Sequence, residues 1–225
     1  MPRALLALSL AALVGCVPTA DLRVPLAEPE PQSGRLTVVR VGDLTISEEE
    51  EAELDGYRAA FWDDLRAELT ERYGFSAVEV IDVPDLAFDT LHVLVQNPTV
   101  GGKGRGWGRR PTRLPRDPAA LAPGADVVVV LDRPTMARLQ RSNSVYVSGR
   151  GFGAVIPLPA GQGLGVGADL VVYRAGQPAP HGVGRIDVYG RGGGLFENRV
   201  DDRSAGRTVA GVADRIASHG GFAAR

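Results

Sequence analysis

Apolar and polar positions along the chain fall into blocks whose period changes from one block to the next. Arg35–Val41 (RLTVVRV) is a β-branched run that reads as a buried strand, closed by a turn at Gly42-Asp43. Ser47 and Glu50 then fit a capping box, and the acidic run from Glu48 to Glu51 suits the positive end of a helix dipole. Leu54, Tyr57, Phe61, Leu65 and Leu69 recur at spacings of three and four, one apolar stripe on a helix over 48–73, with Gly74 as its stop. Ala77–Val83 reads as a second strand, which closes a right-handed β-α-β unit with parallel strands.

Leu91–Gln96 is a further strand-like run, and residues 97–117 show no period. Ala125–Asp132 carries four consecutive valines, the mark of a central strand covered on both faces. A short helix is expected from Pro134 to about Arg141. Val145–Ile156, Leu164–Arg174 and Val183–Tyr189 read as strands joined by Pro/Gly turns at 157–163 and 176–182, hence as antiparallel neighbours. Val209, Val212, Ala213 and Ile216 give the apolar face of a last helix over 207–218, ended by Gly220-Gly221. The sum is an α/β (α+β) fold: a single domain over 35–222, with helices packed on a mixed sheet and antiparallel C-terminal strands.

The N-terminus has a different character. Met1–Gly15 carries one arginine, Arg3, ahead of an apolar run over 4–14 interrupted only by Ser9. That run is far short of the roughly 20 residues a membrane span needs and suits the h-region of a signal peptide. It closes on Leu13-Val14-Gly15-Cys16, which resembles the lipobox of bacterial lipoproteins. The resemblance implies lipidation of the Cys16 thiol, cleavage after Gly15 and acylation of the new amine. Several acyl chains together give the stable anchoring that one alone does not. By the same resemblance, Val17 lacks the aspartate that marks inner-membrane retention, so the periplasmic face of the outer membrane is the expected location. Residues 17–34, with prolines at 18, 25, 29 and 31, read as a semi-extended tether in which nothing folds.

Composition narrows the picture further. Cys16 is the only cysteine, so no thiol is left to pair and the mature chain must be held by its core alone. Hydrophobic residues make up 44% of the chain, enough for such a core, and the formal net charge of −2 shows no bias toward nucleic acid. The element order resembles the small periplasmic α/β domains of envelope lipoproteins. The curli-export lipoprotein and the N-terminal domain of the Tol-system β-propeller protein are examples. The residues that carry the resemblance are Gly124–Val128, Asp169–Val172 and the run from Arg207 to Phe222.

Catalytic signatures are weak. His92, His181 and His219 stand in no metal-ligand spacing, and no G-x-S-x-G elbow surrounds Ser142, Ser144 or Ser148. The glycines at 161, 163, 165 and 167 lie between strand-like runs rather than opening a helix, which disfavours a phosphate cradle and suits a flexible hairpin. Asp82, Asp85 and Asp89 do not match a calcium loop, and Asp201-Asp202 suits a helix cap. The expectation is therefore no enzyme, no metal and no cofactor.

Two segments remain as candidate interaction sites. The basic loop 97–117 holds Lys103, Arg105, Trp107, Arg109, Arg110, Arg113 and Arg116, with no acidic residue between 101 and 116. Arginine with tryptophan suits an anionic surface: phospholipid headgroups, lipopolysaccharide or an acidic protein partner. The Gly-rich stretch 149–168 is uncharged from Gly151 to Ala168. In the curli-export resemblance such hairpins from several subunits build a barrel, which implies a homo-oligomeric secretion or transport component. The leading expectation is a non-enzymatic, lipid-anchored binding or assembly module with an envelope protein partner. The oligomeric component is its alternative.

Overall fold

The computed structural model describes residues 22–97, 106–149, 152–192 and 200–225. Cys16 with the signal segment, and Lys103 and Arg105 in the basic stretch, lie outside the described residues.

The valine runs set the layering. β2 (Arg35–Val41) pairs in parallel with β3 (Ala77–Asp82) on one side and β6 (Val127–Gly149) on the other. β7 (Phe152–Arg174) and β8 (Gly182–Arg191) continue the sheet antiparallel, in the order β3-β2-β6-β7-β8. Alternate residues of its central strands enter two different cores. Leu36, Val38, Val127, Val129, Leu170 and Val172 face the helices, while Val39, Val41, Val128, Val130, Val171 and Tyr173 face a second sheet. Both faces are covered, so Val127–Leu131 of β6 and Leu170–Tyr173 of β7 are apolar at every position rather than at every second one.

Helix α1 (Glu51–Tyr73) lays Leu54, Phe61, Leu65 and Leu69 into the first core, together with Trp62 and Tyr73. Gly74 ends it with φ 81° and donates its N–H to the Thr70 carbonyl. The capping box expected at its start does not form. Ser47 accepts the Glu50 N–H in a turn, and the helix begins one turn later than the sequence implied. Glu50 spends its carboxylate on Arg138, accepting that residue's backbone N–H at 3.2 Å, instead of reaching back to Ser47. The C-terminal helix is longer than expected, Asp202–Gly220, because Asp201 and Ser204 form a reciprocal capping box. Its Val209, Val212, Ala213 and Ile216 are buried as their spacing requires.

On the other face, β1 (Leu22–Val24) runs parallel to β4 (Phe88–Asn97), and β5 (Gly106–Pro115) is antiparallel to β4. This three-stranded sheet closes the second core with Val24, Val93, Val95 and Leu114. The described stack is thus helices, five-stranded sheet, three-stranded sheet, a mixed α/β fold with antiparallel strands β6 to β8 toward its C-terminal end.

Four further expectations change. The stretch 17–34 is not wholly a tether: Val24 is 1% exposed within β1, and Glu30 bonds to Gly221 and Ala223 through its backbone. The basic stretch is a strand over residues 106–115, since the ladder to β4 supplies what Gly, Arg and Pro lack in intrinsic β preference. No helix follows Pro134. A bulge between Asp132 and Thr135 re-aims the chain, with Arg133 at φ 50°, and Thr135–Arg141 pairs with Gly161–Gly167 as a continuation of β6. The expected turn at 157–163 is likewise strand, part of β7, so β6 and β7 are two arms of one long ribbon. Between β5 and β6, a short helix α2 (Pro118–Leu121) starts on Asp117, which accepts the Ala120 N–H; the C-terminal helix is therefore α3.

Candidate functional site: an arginine-lined groove between the sheets

The strand β5 puts the basic residues at the edge of the small sheet, because the order β1-β4-β5 leaves its outer side unpaired among the described residues. Pro111 and Pro115 remove amide donors from that edge, and arginines flank it, both of which discourage strand addition. What β5 presents is therefore side-chain charge rather than a backbone template. Trp107 is 47% exposed and Arg109 is exposed, both toward the end where β4 also finishes. Arg116, just past the strand, is tied to Asp89 at 2.9 Å.

Arg110 and Arg113 point into the groove between β5 and the five-stranded sheet. Arg113 stacks 4.3 Å over the Phe88 ring and reaches Asp132 at 2.9 Å. Asp132 stands at the C-terminal end of the parallel run of β6, opposite Val41 of β2, where open parallel sheets place their ligands. Burial pushes its carboxyl above the usual aspartate range. Arg113 and Arg133 oppose that shift, and Asp169 adds to it. Arg133 bridges onward to Asp169 at 2.7 Å. These groups line a crevice of about 340 Å3 that also includes Arg110 and Arg185.

A second cleft of about 350 Å3 opens on the other side of Arg110, at the β8 edge of the large sheet. Val24 to Ala27, Val95 and Gln96 form one wall; Gly182, Val183 and Arg185 of β8 form the floor; and Arg215, Ser218 and His219 of α3 close it. Two glycines make this approach possible. A methyl at Gly182 would collide with the His219 carbonyl, and one at Gly184 with the His219 ring. Burial holds His219 below the usual histidine value, with Arg215 and Arg110 adding to the effect. The bond from its Nδ1–H to the Arg215 carbonyl, at 2.8 Å, works the other way.

Of the residues singled out from sequence, Arg110 and Arg113 enter this groove, Trp107, Arg109 and Arg116 flank it, and Cys16, Lys103 and Arg105 are not described. Asp132, Arg133, Arg185, Arg215 and His219 are not legible in the sequence as one site, because three separated stretches contribute them. The Gly182-Val-Gly184 pattern was the available signal, since glycine inside a strand marks a close backbone approach. The aspartates at 82, 85 and 89 do not converge. Asp82 pairs with Arg40 and Asp89 with Arg116, and no group of three or more possible metal ligands exists among the described residues. No described helix is long and apolar enough to cross a membrane.

No protein-family model matches the chain, and no curated protein matches it. Among solved structures, it is similar to one described as "putative neuraminyllactose-binding hemagglutinin homolog from Helicobacter pylori". The two are 13% identical over 83% of this chain and 80% of that one, with a TM-score of 0.29. At that score the similarity bears on neither the ligand nor the chemistry of this chain.

Proposed function

We propose that the protein is a non-enzymatic binding module of the bacterial envelope, lipid-anchored through Cys16, that docks an anionic envelope component through its arginine-bearing layer. The observation that carries this reading is the incomplete neutralisation of the groove. Arg113, Arg116 and Arg133 are matched by Asp132, Asp89 and Asp169. Arg110 and Arg215 have no carboxylate within 4.0 Å among the described residues. The lipobox supports the anchor, and an anchored domain meets anionic headgroups at close range, where each basic residue contributes about 1 kcal/mol. Trp107 adds an aromatic ring suited to headgroup depth. Co-sedimentation of the unlipidated domain with anionic and neutral vesicles tests the reading. Binding to anionic vesicles at low salt, lost at high salt, is expected; equal recovery with both vesicle types would refute it.

The β6–β7 ribbon favours a second reading, an oligomeric secretion component. Asn143–Gly149 and Phe152–Leu158 pair only with each other among the described residues, beyond the reach of β2 and β8. An open ribbon cannot sit in lipid, so membrane insertion would need several copies closing a barrel. Light scattering of the purified domain separates the two readings, a monomer favouring docking and a ring favouring the barrel.

A further inference from the structure

We propose that the cleft between β8, the Val24–Ala27 segment and the end of α3 is a site for one phosphomonoester dianion. The proposal deepens the anion-binding reading above by giving it a defined pocket and a ligand class. Three arginines line the cleft, Arg110 from β5, Arg185 from β8 and Arg215 from α3, and no acidic side chain is among its lining residues. The nearest carboxylate interaction is Asp187 with Arg185, a pair 4.0 Å apart on exposed side chains and therefore weak.

Among the remaining polar side chains of the lining, Gln96 keeps its donors for a ligand. Gln96 accepts the Leu26 N–H through its Oε1 at 3.1 Å, which leaves its amide NH2 as the free end. Ser218 and His219 are turned inward onto the Arg215 carbonyl. A helix C-terminus ordinarily repels anions through its bare carbonyls. Here the Arg215, Ala217 and Gly220 carbonyls all accept hydrogen bonds, from His219 and Ser218, from Phe222, and from Arg174. The end of α3 therefore sets less negative potential against a ligand than an uncapped helix would.

Charge and size choose the ligand class. Three cations without a lining acid exceed what one carboxylate neutralises and suit a dianion, and guanidinium forks match phosphate oxygens two at a time. A volume of about 350 Å3 admits a phosphate with a short organic stem and no extended chain. The phosphate group can come from a lipid headgroup or from a soluble phosphomonoester, and the recognition chemistry is the same.

Calorimetric titration of the unlipidated domain with inorganic phosphate and with glycerol 1-phosphate tests the site, beside sedimentation with phosphatidic-acid vesicles. Saturable binding of both small ligands at or below about 1 mM is expected. The variant Arg215→Gln should weaken it at least about tenfold, a difference near 1.4 kcal/mol. The thermal midpoint should not fall, because Arg215 is exposed. Glu79→Gln, a charge change on β3 at the opposite edge of the large sheet from β8, should leave binding unchanged. Competition between glycerol 1-phosphate and phosphatidic-acid vesicles would assign the site to a headgroup; small-ligand binding without vesicle binding would assign it to a soluble ester, and would refute the membrane reading alone. Vesicle binding with no saturable phosphate binding, or Arg215→Gln binding phosphate like the parent, would overturn the site.

Discussion

Arg113 of β5 and Asp132 of β6 meet at 2.9 Å across the groove, joining the small sheet to the large one through a carboxylate that is 5% exposed. The same guanidinium sits over the Phe88 ring, so its position is fixed from two sides. Removing one partner of such a pair costs more than the pair contributes, because the other charge stays buried. Arg113→Met is expected to destabilise the domain by about 1–3 kcal/mol, below the usual range because Arg133 still stands 3.4 Å from Asp132. Adding Asp132→Asn should recover part of that loss in urea melts. A double variant less stable than the single one would show that the carboxylate has a further partner.

The stripe of α1 gives a direct comparison. Leu65 is fully buried in the helix-side core, and Arg66 is exposed beside Asp63. Leu65→Ala should cost about 2–5 kcal/mol. Arg66→Ala should cost under about 0.5 kcal/mol. Equal shifts of the urea midpoint would mean that the helix packs by another face.

How far the sequence reached depends on whether the deciding contact was local. The stripe Leu54–Leu69, the Gly74 stop and the valines of β6 each encode their structure within a few residues, and each is found as expected. The segment Pro134–Arg141, expected as a short helix, is rich in residues that favour one: Met136, Ala137, Arg138, Leu139 and Gln140. Its partner Gly161–Gly167, over twenty residues away, decides otherwise. That partner is glycine-rich for a packing reason: side chains at 163 and 165 would collide with the Gly190 carbonyl and the Leu139 side chain. β5 was invisible for the same kind of reason, because the strand is written in β4 and only completed by β5. In the groove, sequence order separates residues 110, 185 and 215, which the fold brings to one cleft.

Acid should weaken the fold through its histidines. Burial lowers both His181 and His219 below the usual value, with positive neighbours adding to it, Arg174 in the first case and Arg215 and Arg110 in the second. The unfolded chain therefore binds protons first as pH falls. The stabilisation from neutral histidine is complete above the unfolded value near pH 6.5 and is lost progressively below it. Asp132, raised by burial, acts in the opposite sense, favouring the fold once it is protonated at the acid end. Thermal midpoints should thus fall between about pH 7 and 5.5, and His219→Gln should flatten that slope. An unchanged slope in this variant would assign the acid sensitivity elsewhere.

The anchor can be separated from the fold. Cys16→Ser removes the thiol that the lipobox resemblance makes the acyl acceptor. Labelling with a palmitate analogue in cells should mark the parent protein and leave the variant unlabelled and uncleaved. Label retained on Cys16→Ser would end the lipoprotein reading without touching the binding one.

If basic residues on β5 and in the stretch before it carry the docking, removing their charge removes the binding. The triple variant Arg105, Arg109 and Arg110→Ala should be sedimented beside the parent with anionic vesicles across a salt series. Exposed charges act within about 8 Å at physiological salt. The parent should bind at low salt and lose binding as salt rises, with a steep dependence. The variant should lose the anionic preference while keeping its thermal midpoint. A folded variant that sediments like the parent at every salt concentration would contradict the account.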